Sequence, residues 1–235
     1  MTQKNQPDLK IPTHLAIIPD GNRRWAREHN LPTLIGHKRG FQRGIELAKK
    51  SRELGIKYLT FWGFSTENWN RKEEEVSYLM QLFKQMVDQH LQEALKNKIK
   101  IIHFGRKDRL DSQLRNKLIS AEEKTKDFNQ YYFGLALDYG GRDEILRAIK
   151  KIIRQPVEWE KLTENEFKKF LDTKEFPDPD LVIRTSGELR TSGFMIWQGV
   201  YAEWIFYKKY FPDFTVKDLE KCVLEYSQRQ RRFGK

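Results

Sequence analysis

Six short apolar runs alternate along the chain with segments of helical period, and this alternation constrains the fold more than any other feature. The runs are His14 to Ile18, Tyr58 to Phe64, Ile99 to Phe104, Tyr131 to Leu137, Leu181 to Ile183 and Tyr201 to Phe206. Each has strand length and ends near turn-forming or polar residues; the first stops at Pro19. Val76, Leu79, Met80, Phe83, Met86, Val87, Leu91, Ala94 and Leu95 recur at three-four spacing, which predicts a long helix with one apolar stripe. Asn70 followed by Glu73 fits a capped start to that helix. Further helices are expected over residues 41–54 (closed by Gly55), 112–125, 142–153, 164–171 and 216–230, with Thr163 and Thr215 as N-caps. Strands alternating with helices predict an α/β fold, with a mostly parallel central sheet of about six strands flanked by helices. Ligand-binding loops are then expected at the carboxyl ends of the strands.

No linker, repeat or low-complexity tract divides the 235 residues, so one domain is expected over 14–235, preceded by a flexible polar segment, 1–13. A lone cysteine, Cys222, excludes an intrachain disulfide framework, and no cysteine or histidine spacing matches a zinc site. With no apolar run of signal-peptide or membrane-span length, this predicts a soluble cytoplasmic protein. The net charge of +11 favours anionic partners, whether nucleic acid, an anionic membrane or a polyphosphorylated small substrate; solvated helix lysines account for it equally well. No glycine loop of the nucleotide-binding kinds is present, which disfavours an ATP or NAD enzyme.

Three polar clusters follow strand-like runs. In Pro19-Asp20-Gly21-Asn22-Arg23-Arg24-Trp25, glycine permits close backbone approach, successive N–H groups can cradle an anion, and Arg24 can fork onto phosphate oxygens. Asp20 would repel phosphate there unless a hard cation such as Mg²⁺ bridged the two. Taken alone, the same residues are better read as a simple turn, its Asp and Asn bonding their own backbone. Phe64-Ser65-Thr66-Glu67-Asn68-Trp69-Asn70-Arg71 offers hydroxyls, amides and an arginine at a helix start, or a well-capped helix with Trp69 as a packing staple. Residues 184–193 carry Arg184, Arg190 and Ser192 on a glycine-flexed loop, suited to clamp a diphosphate or simply solvated. Glu203 interrupts an aromatic strand and must be paired, metal-bound or solvent-facing.

Taken in order, HLAIIPDGNRRWA, IGHKRG, FSTENWNR, DYGGRDEI, DLVIRTSGELRTSGF, YAEWIF and the terminal RRFG resemble the signature blocks of the cis-prenyltransferases, the undecaprenyl diphosphate synthase-like family, from His14 to Gly234. The resemblance implies a Mg²⁺-dependent homodimer that joins isopentenyl diphosphate to an allylic diphosphate. Asp20, with Glu203, would hold Mg²⁺. Gly21, Asn22, Arg23, Arg24, Trp25, His37, Phe64, Trp69 and Arg71 would bind the allylic substrate. Arg184, Arg190 and Ser192 would grip isopentenyl diphosphate, joined by Arg232 and Gly234 from a second subunit. Asn68 and Ser65 would assist proton removal, and a hydrophobic tunnel walled by the long helix would take the growing product. Membrane contact would be peripheral at most, through the lipid product. The competing class is a basic nucleic-acid-binding protein built on residues 229–233; it leaves Asp20 and Glu203 unexplained.

The chain departs from the family pattern at Pro19, at Arg23, at Thr33, where an arginine commonly contacts the allylic phosphate, at Leu189 and at Gly193. Tyr131, Tyr132 and Trp62 are bulky for tunnel-lining positions, which implies a product shorter than undecaprenyl.

Overall fold

The computed structural model describes residues 9–155 and 159–229. Six strands form one sheet in the order β3-β4-β2-β1-β5-β6: β1 (His14–Ile18), β2 (Tyr58–Ser65), β3 (Ile99–Phe104), β4 (Tyr131–Tyr139), β5 (Leu181–Arg184) and β6 (Glu203–Phe206). Every pairing among them is parallel. A parallel sheet needs helical crossovers that cover its faces, so its strands are apolar on both sides, and β1 and β5 are buried at every position. That double burial is why the runs were visible in the sequence.

The helices are α1 (Asn22–Glu28), α2 (Thr33–Glu53), α3 (Glu73–Lys96), α4 (Ser112–Thr125), α5 (Gly141–Ile153), α6 (Glu164–Lys168) and α7 (Val216–Gln228). On one face of the sheet Leu15, Ile17, Leu59, Phe61 and Ile183 pack with Leu47 of α2 and with α7. Leu135 and Leu137 extend that face under Val76, Leu79 and Phe83 of α3 and Leu114 and Leu118 of α4. The other face buries Ala16, Ile18, Ala136 and Val182 against Phe176, Phe194 and Met195.

Three local expectations are corrected. Helix α2 begins at Thr33 rather than Phe41, because Gly36 and Gly40 lie against α1 and mask the apolar period: a Cβ on Gly36 would stand 2.1 Å from the Asn22 carbonyl oxygen. Asn70 does not cap α3; a 3-10 turn, Thr66–Asn70, intervenes, and Lys72 precedes the helix without a side-chain cap. Tyr132 borders the apolar space beneath α2 and α3 but turns its ring away from it, stacking on Tyr58 at 4.4 Å beside Phe176 on the opposite side of the sheet. Thr163 and Thr215 cap α6 and α7 as expected.

Candidate active site

Strand order reverses around β1, whose neighbours in the sheet, β2 and β5, lie on either side, and the loops leaving these three strands diverge to open a crevice. A cavity of about 660 Å³ occupies it, lined by Asp20, Gly21, Asn22, Arg23 and Arg24 after β1, by Ser65 at the end of β2 with Asn68 and Arg71 beyond it, by Arg184 at the end of β5 with Arg190 and Ser192 beyond it, and by His37 of α2. Six arginines line it against two carboxylates, Asp20 and Glu67, so its field attracts anions.

Asp20 is the centre of the charge arrangement. Thr185 Oγ1 and the Phe211 N–H donate to its backbone carbonyl at 2.7 and 3.0 Å, fixing the turn. Its carboxylate accepts from Arg184 Nη2 at 2.8 Å and Arg24 Nη2 at 3.2 Å. Burial alone would raise its pKa, but the hydrogen bond and charge of Arg184, with the charge of Arg24, outweigh it and hold the carboxyl below its ordinary 3.8. Gly21 continues the turn at φ 105°, and a Cβ there would stand 2.6 Å from the Tyr210 ring.

Arg184 is 4% exposed, and its Nη1 donates to Ser192 Oγ at 2.9 Å and to the Arg190 carbonyl. Its Nε is buried without a partner among the described residues. The loop that carries these contacts holds Ser186, Ser192 and Met195 at positive φ, strained for residues with side chains, beside Gly187 and Gly193, which adopt it freely. Glu188 bridges Arg24, at 2.5 Å, and Arg190.

A second hub escaped the sequence reading. Glu75, nearly buried in the first turn of α3, accepts from His37 Nε2 at 2.9 Å and Arg71 Nη1 at 3.1 Å, and lies 3.7 Å from Arg23 Nε. It joins three expected substrate ligands from three elements. In sequence it is the third of three first-turn glutamates, which the helix dipole already explains. Burial pushes the His37 pKa below 6.5 despite this carboxylate.

A bulge in the β2–β4 pairing around Gly63 shifts the phase of the last β2 residues. Phe64 consequently turns into the core under α3, while Ser65 reaches the cavity. Ser65 N–H donates to Asn68 Oδ1 at 3.0 Å.

Not every expected ligand is brought together. Trp25 is buried, donating to Asp213 at 2.9 Å and stacking on His29; Phe64 and Trp69 pack edge to face at 5.1 Å. None of these three rings lines the cavity. Glu203 opens β6, level with Leu181 rather than with Arg184, and so sits about 10 Å along the sheet from the Arg184 end at roughly 3.3 Å per residue. It pairs with Arg229 at 2.9 Å, and the chain does not bring it to Asp20. Arg232 and Gly234 lie outside the described residues.

A smaller apolar cavity of about 160 Å³ runs between α2, α3 and the sheet and shares Gly44, Phe61 and Leu135 with the first. Tyr131 and Phe133 line its far part. No described helix is long and apolar enough to cross a membrane.

Comparison with known proteins agrees with this geometry. Residues 18–234 match the family model described as putative undecaprenyl diphosphate synthase. An isoprenyl transferase of Thermotoga maritima is 46% identical, over 96% of this chain and 98% of the relative. A ditrans,polycis-undecaprenyl-diphosphate synthase of Micrococcus luteus, (2E,6E)-farnesyl-diphosphate specific, is 40% identical over 96% and 92%. The crystal structure of lavandulyl diphosphate synthase from Lavandula x intermedia in complex with dimethylallyl diphosphate superposes with a TM-score of 0.92 at 34% identity, covering 96% of this chain and 99% of that one.

Proposed function

The chain belongs to the undecaprenyl diphosphate synthase family of prenyltransferases, and on that premise we propose that it condenses isopentenyl diphosphate with an allylic prenyl diphosphate, making a Z double bond and releasing diphosphate. The observation that carries the reading is the meeting of Asp20, Arg24 and Arg184 in one cavity with Ser65, Asn68 and Arg71. The allylic C–O bond breaks, its electron pair leaves with the diphosphate, the freed carbon bonds the isopentenyl alkene, and a proton departs as the new double bond forms.

Arg24, Arg71, His37 and the backbone of residues 21–23 hold the allylic diphosphate. Arg184, Arg190 and Ser192 hold isopentenyl diphosphate. Guanidinium groups fixed before reaction stabilise the charge that develops on the leaving group without reorganising. Asn68, oriented by the Ser65 N–H, stands beside the proton to be lost. Asp20 fits Mg²⁺: it is a hard, ionised oxygen donor among phosphate-binding arginines, and Mg²⁺ takes one or two carboxylates with substrate oxygens and water. When bound, the ion would neutralise charge on the diphosphates. Of the two expected metal ligands, Asp20 is the one that reaches the cavity; Glu203 stays with Arg229.

The apolar cavity below takes the growing hydrocarbon, each buried five-carbon unit contributing about 4 kcal/mol by methylene counting. Its small volume and the Tyr131 and Phe133 rings favour a product shorter than undecaprenyl. The active form is a homodimer completed by Arg232 and Gly234, and the lone buried Cys222 fits the reducing cytoplasm.

Purified chain incubated with Mg²⁺, labelled isopentenyl diphosphate and allylic primers of increasing length tests this reading. A ladder of Z-prenyl diphosphates supports it. Salt-sensitive oligonucleotide binding without prenyl transfer would replace it with the nucleic-acid reading.

A further inference from the structure

The most deeply buried acid near the cavity is one that neither substrate is expected to touch. Asp138, at the carboxyl end of β4, has 0% exposure and a left-handed backbone at φ 53°. Its carboxylate accepts from Trp69 Nε1 at 2.9 Å and from Arg109 Nε at 2.7 Å, with Arg109 Nη2 as a third donor. Arg109 also lies over the Trp69 ring, its guanidinium carbon 5.7 Å from the centroid. One sealed carboxylate therefore fastens two connections at the same edge of the sheet: the β3–α4 loop through Arg109, and the 3-10 turn Thr66–Asn70 through Trp69.

That turn holds Asn68, whose Oδ1 orients on the Ser65 N–H. The end of β4 meets it at a second point, since a Cβ on Gly140 would stand 2.6 Å from Thr66 Oγ1. An ion pair between a sealed carboxylate and a part-exposed guanidinium is a weak way to gain stability, because solvent screens the one partner and burial costs the other its hydration. A charged tie has a use when one geometry of a turn must be selected. We propose that Asp138 is a positioning residue that holds the Thr66–Asn70 turn, and with it Asn68 and Ser65, in the arrangement needed for proton removal. The assignment rests on the prenyl-transfer reading above.

The test compares Asp138→Ala, Asp138→Asn and Trp69→Phe with the wild-type chain. Steady-state turnover is measured well below each variant's melting temperature, and hydrogen exchange is followed at residues 65–71. The alanine variant is expected to lose kcat by about thirtyfold or more, with both KM values changed less than about threefold. The asparagine variant, which keeps an acceptor for the indole N–H, should recover part of that loss. Trp69→Phe, which leaves the Asp138–Arg109 pair intact, should lower kcat comparably, and combining it with Asp138→Ala should add little. Amide exchange in the turn should quicken at least tenfold in the alanine variant. Lowered melting temperature with unchanged kcat and unchanged exchange at 65–71 would overturn the proposal and assign Asp138 to stability alone. Inactivity of the wild-type chain would sink the prenyl-transfer reading, and the exchange measurement would still decide whether Asp138 holds the turn.

Discussion

Nε2 of His37 donates to Oε1 of Glu75 at 2.9 Å, and both side chains are almost sealed from water, so one α3 carboxylate sets the position of an α2 imidazole at the mouth of the cavity. The same carboxylate holds Arg71. Removing it frees His37, Arg71 and Arg23, groups proposed to hold the allylic diphosphate, and touches none of those proposed for isopentenyl diphosphate. Glu75→Ala is therefore expected to raise the KM for the allylic primer about tenfold, equivalent to ~1.4 kcal/mol, and to leave the KM for isopentenyl diphosphate within twofold. Glu75→Gln should fall between. Equal rises in both constants would show that Glu75 supports the whole site instead.

Asp20 faces a different balance, because its partner Arg184 is 4% exposed and, among the described residues, is otherwise bonded only to neutral oxygens. Asp20→Asn should reduce turnover by roughly 10³-fold, in the range seen when a charge-stabilising group is lost. The stranded guanidinium should also cost about 1–2 kcal/mol, lowering the melting temperature by roughly 2–8 °C for a chain of this size. A folded variant with undiminished Mg²⁺-supported condensation would remove Asp20 from the mechanism.

The strands were legible because burial on both faces leaves nearly uninterrupted apolar runs, and the bounds of β1, β3 and α4 match the reading to the residue. The cavity lining was legible too, since Asp20 and Arg24 follow β1, Arg184 closes β5 and Ser192 lies in the loop beyond it, at strand ends that must converge. What could not be read depends on contacts between elements. Glu75 looks like an ordinary first-turn acid, Phe64 is turned inward by a bulge that no pattern announces, and Asp138 sits in a signature block with nothing to show that it is sealed. Glu203 carried the expected chemistry at the wrong level of the sheet, because period-two alternation tells which face a residue takes and not how far along its strand it stands relative to a neighbour.

The contact between α1 and α2 gives a steric prediction. Besides the Gly36 contact, a Cβ on Gly40 would stand 2.3 Å from Asn22 Oδ1. Gly36→Ala would press a methyl group onto backbone at the start of α1, and backbone cannot swing aside as a side-chain tip can. The helix must shift, carrying Asn22, Arg23 and Arg24 with it. Turnover is expected to fall about 100-fold, since small misplacements of positioning groups have effects of that order. Gly44→Ala, which has open space around it where the two cavities meet, would add a methyl group on the same helix without displacing α1. Wild-type turnover in Gly36→Ala would mean that the α1–α2 contact is more compliant than its packing.

Acid sensitivity should trace to a histidine outside the cavity. His14 is fully buried at the start of β1, where its Nδ1 donates to the Pro177 carbonyl at 2.8 Å; its Nε2 must then accept from Thr60 Oγ1 at 2.9 Å, an arrangement open only to the neutral ring. Burial lowers its pKa from 6.5 to about 4. The unfolded chain therefore binds this proton more readily than the folded one, so stability rises with pH across the interval. The contribution is fully present above pH 6.5 and is lost as the pH falls toward 4, amounting to about 3 kcal/mol by the pKa conversion. His103, lowered to about 3 by burial and the nearby Lys107 charge, extends the loss to more acid pH. Urea unfolding at steps from pH 7.5 to 4 should show this decline, and proton NMR should find His14 still neutral near pH 5. Titration of His14 close to 6.5, with unfolding free energy flat over the same interval, would contradict it.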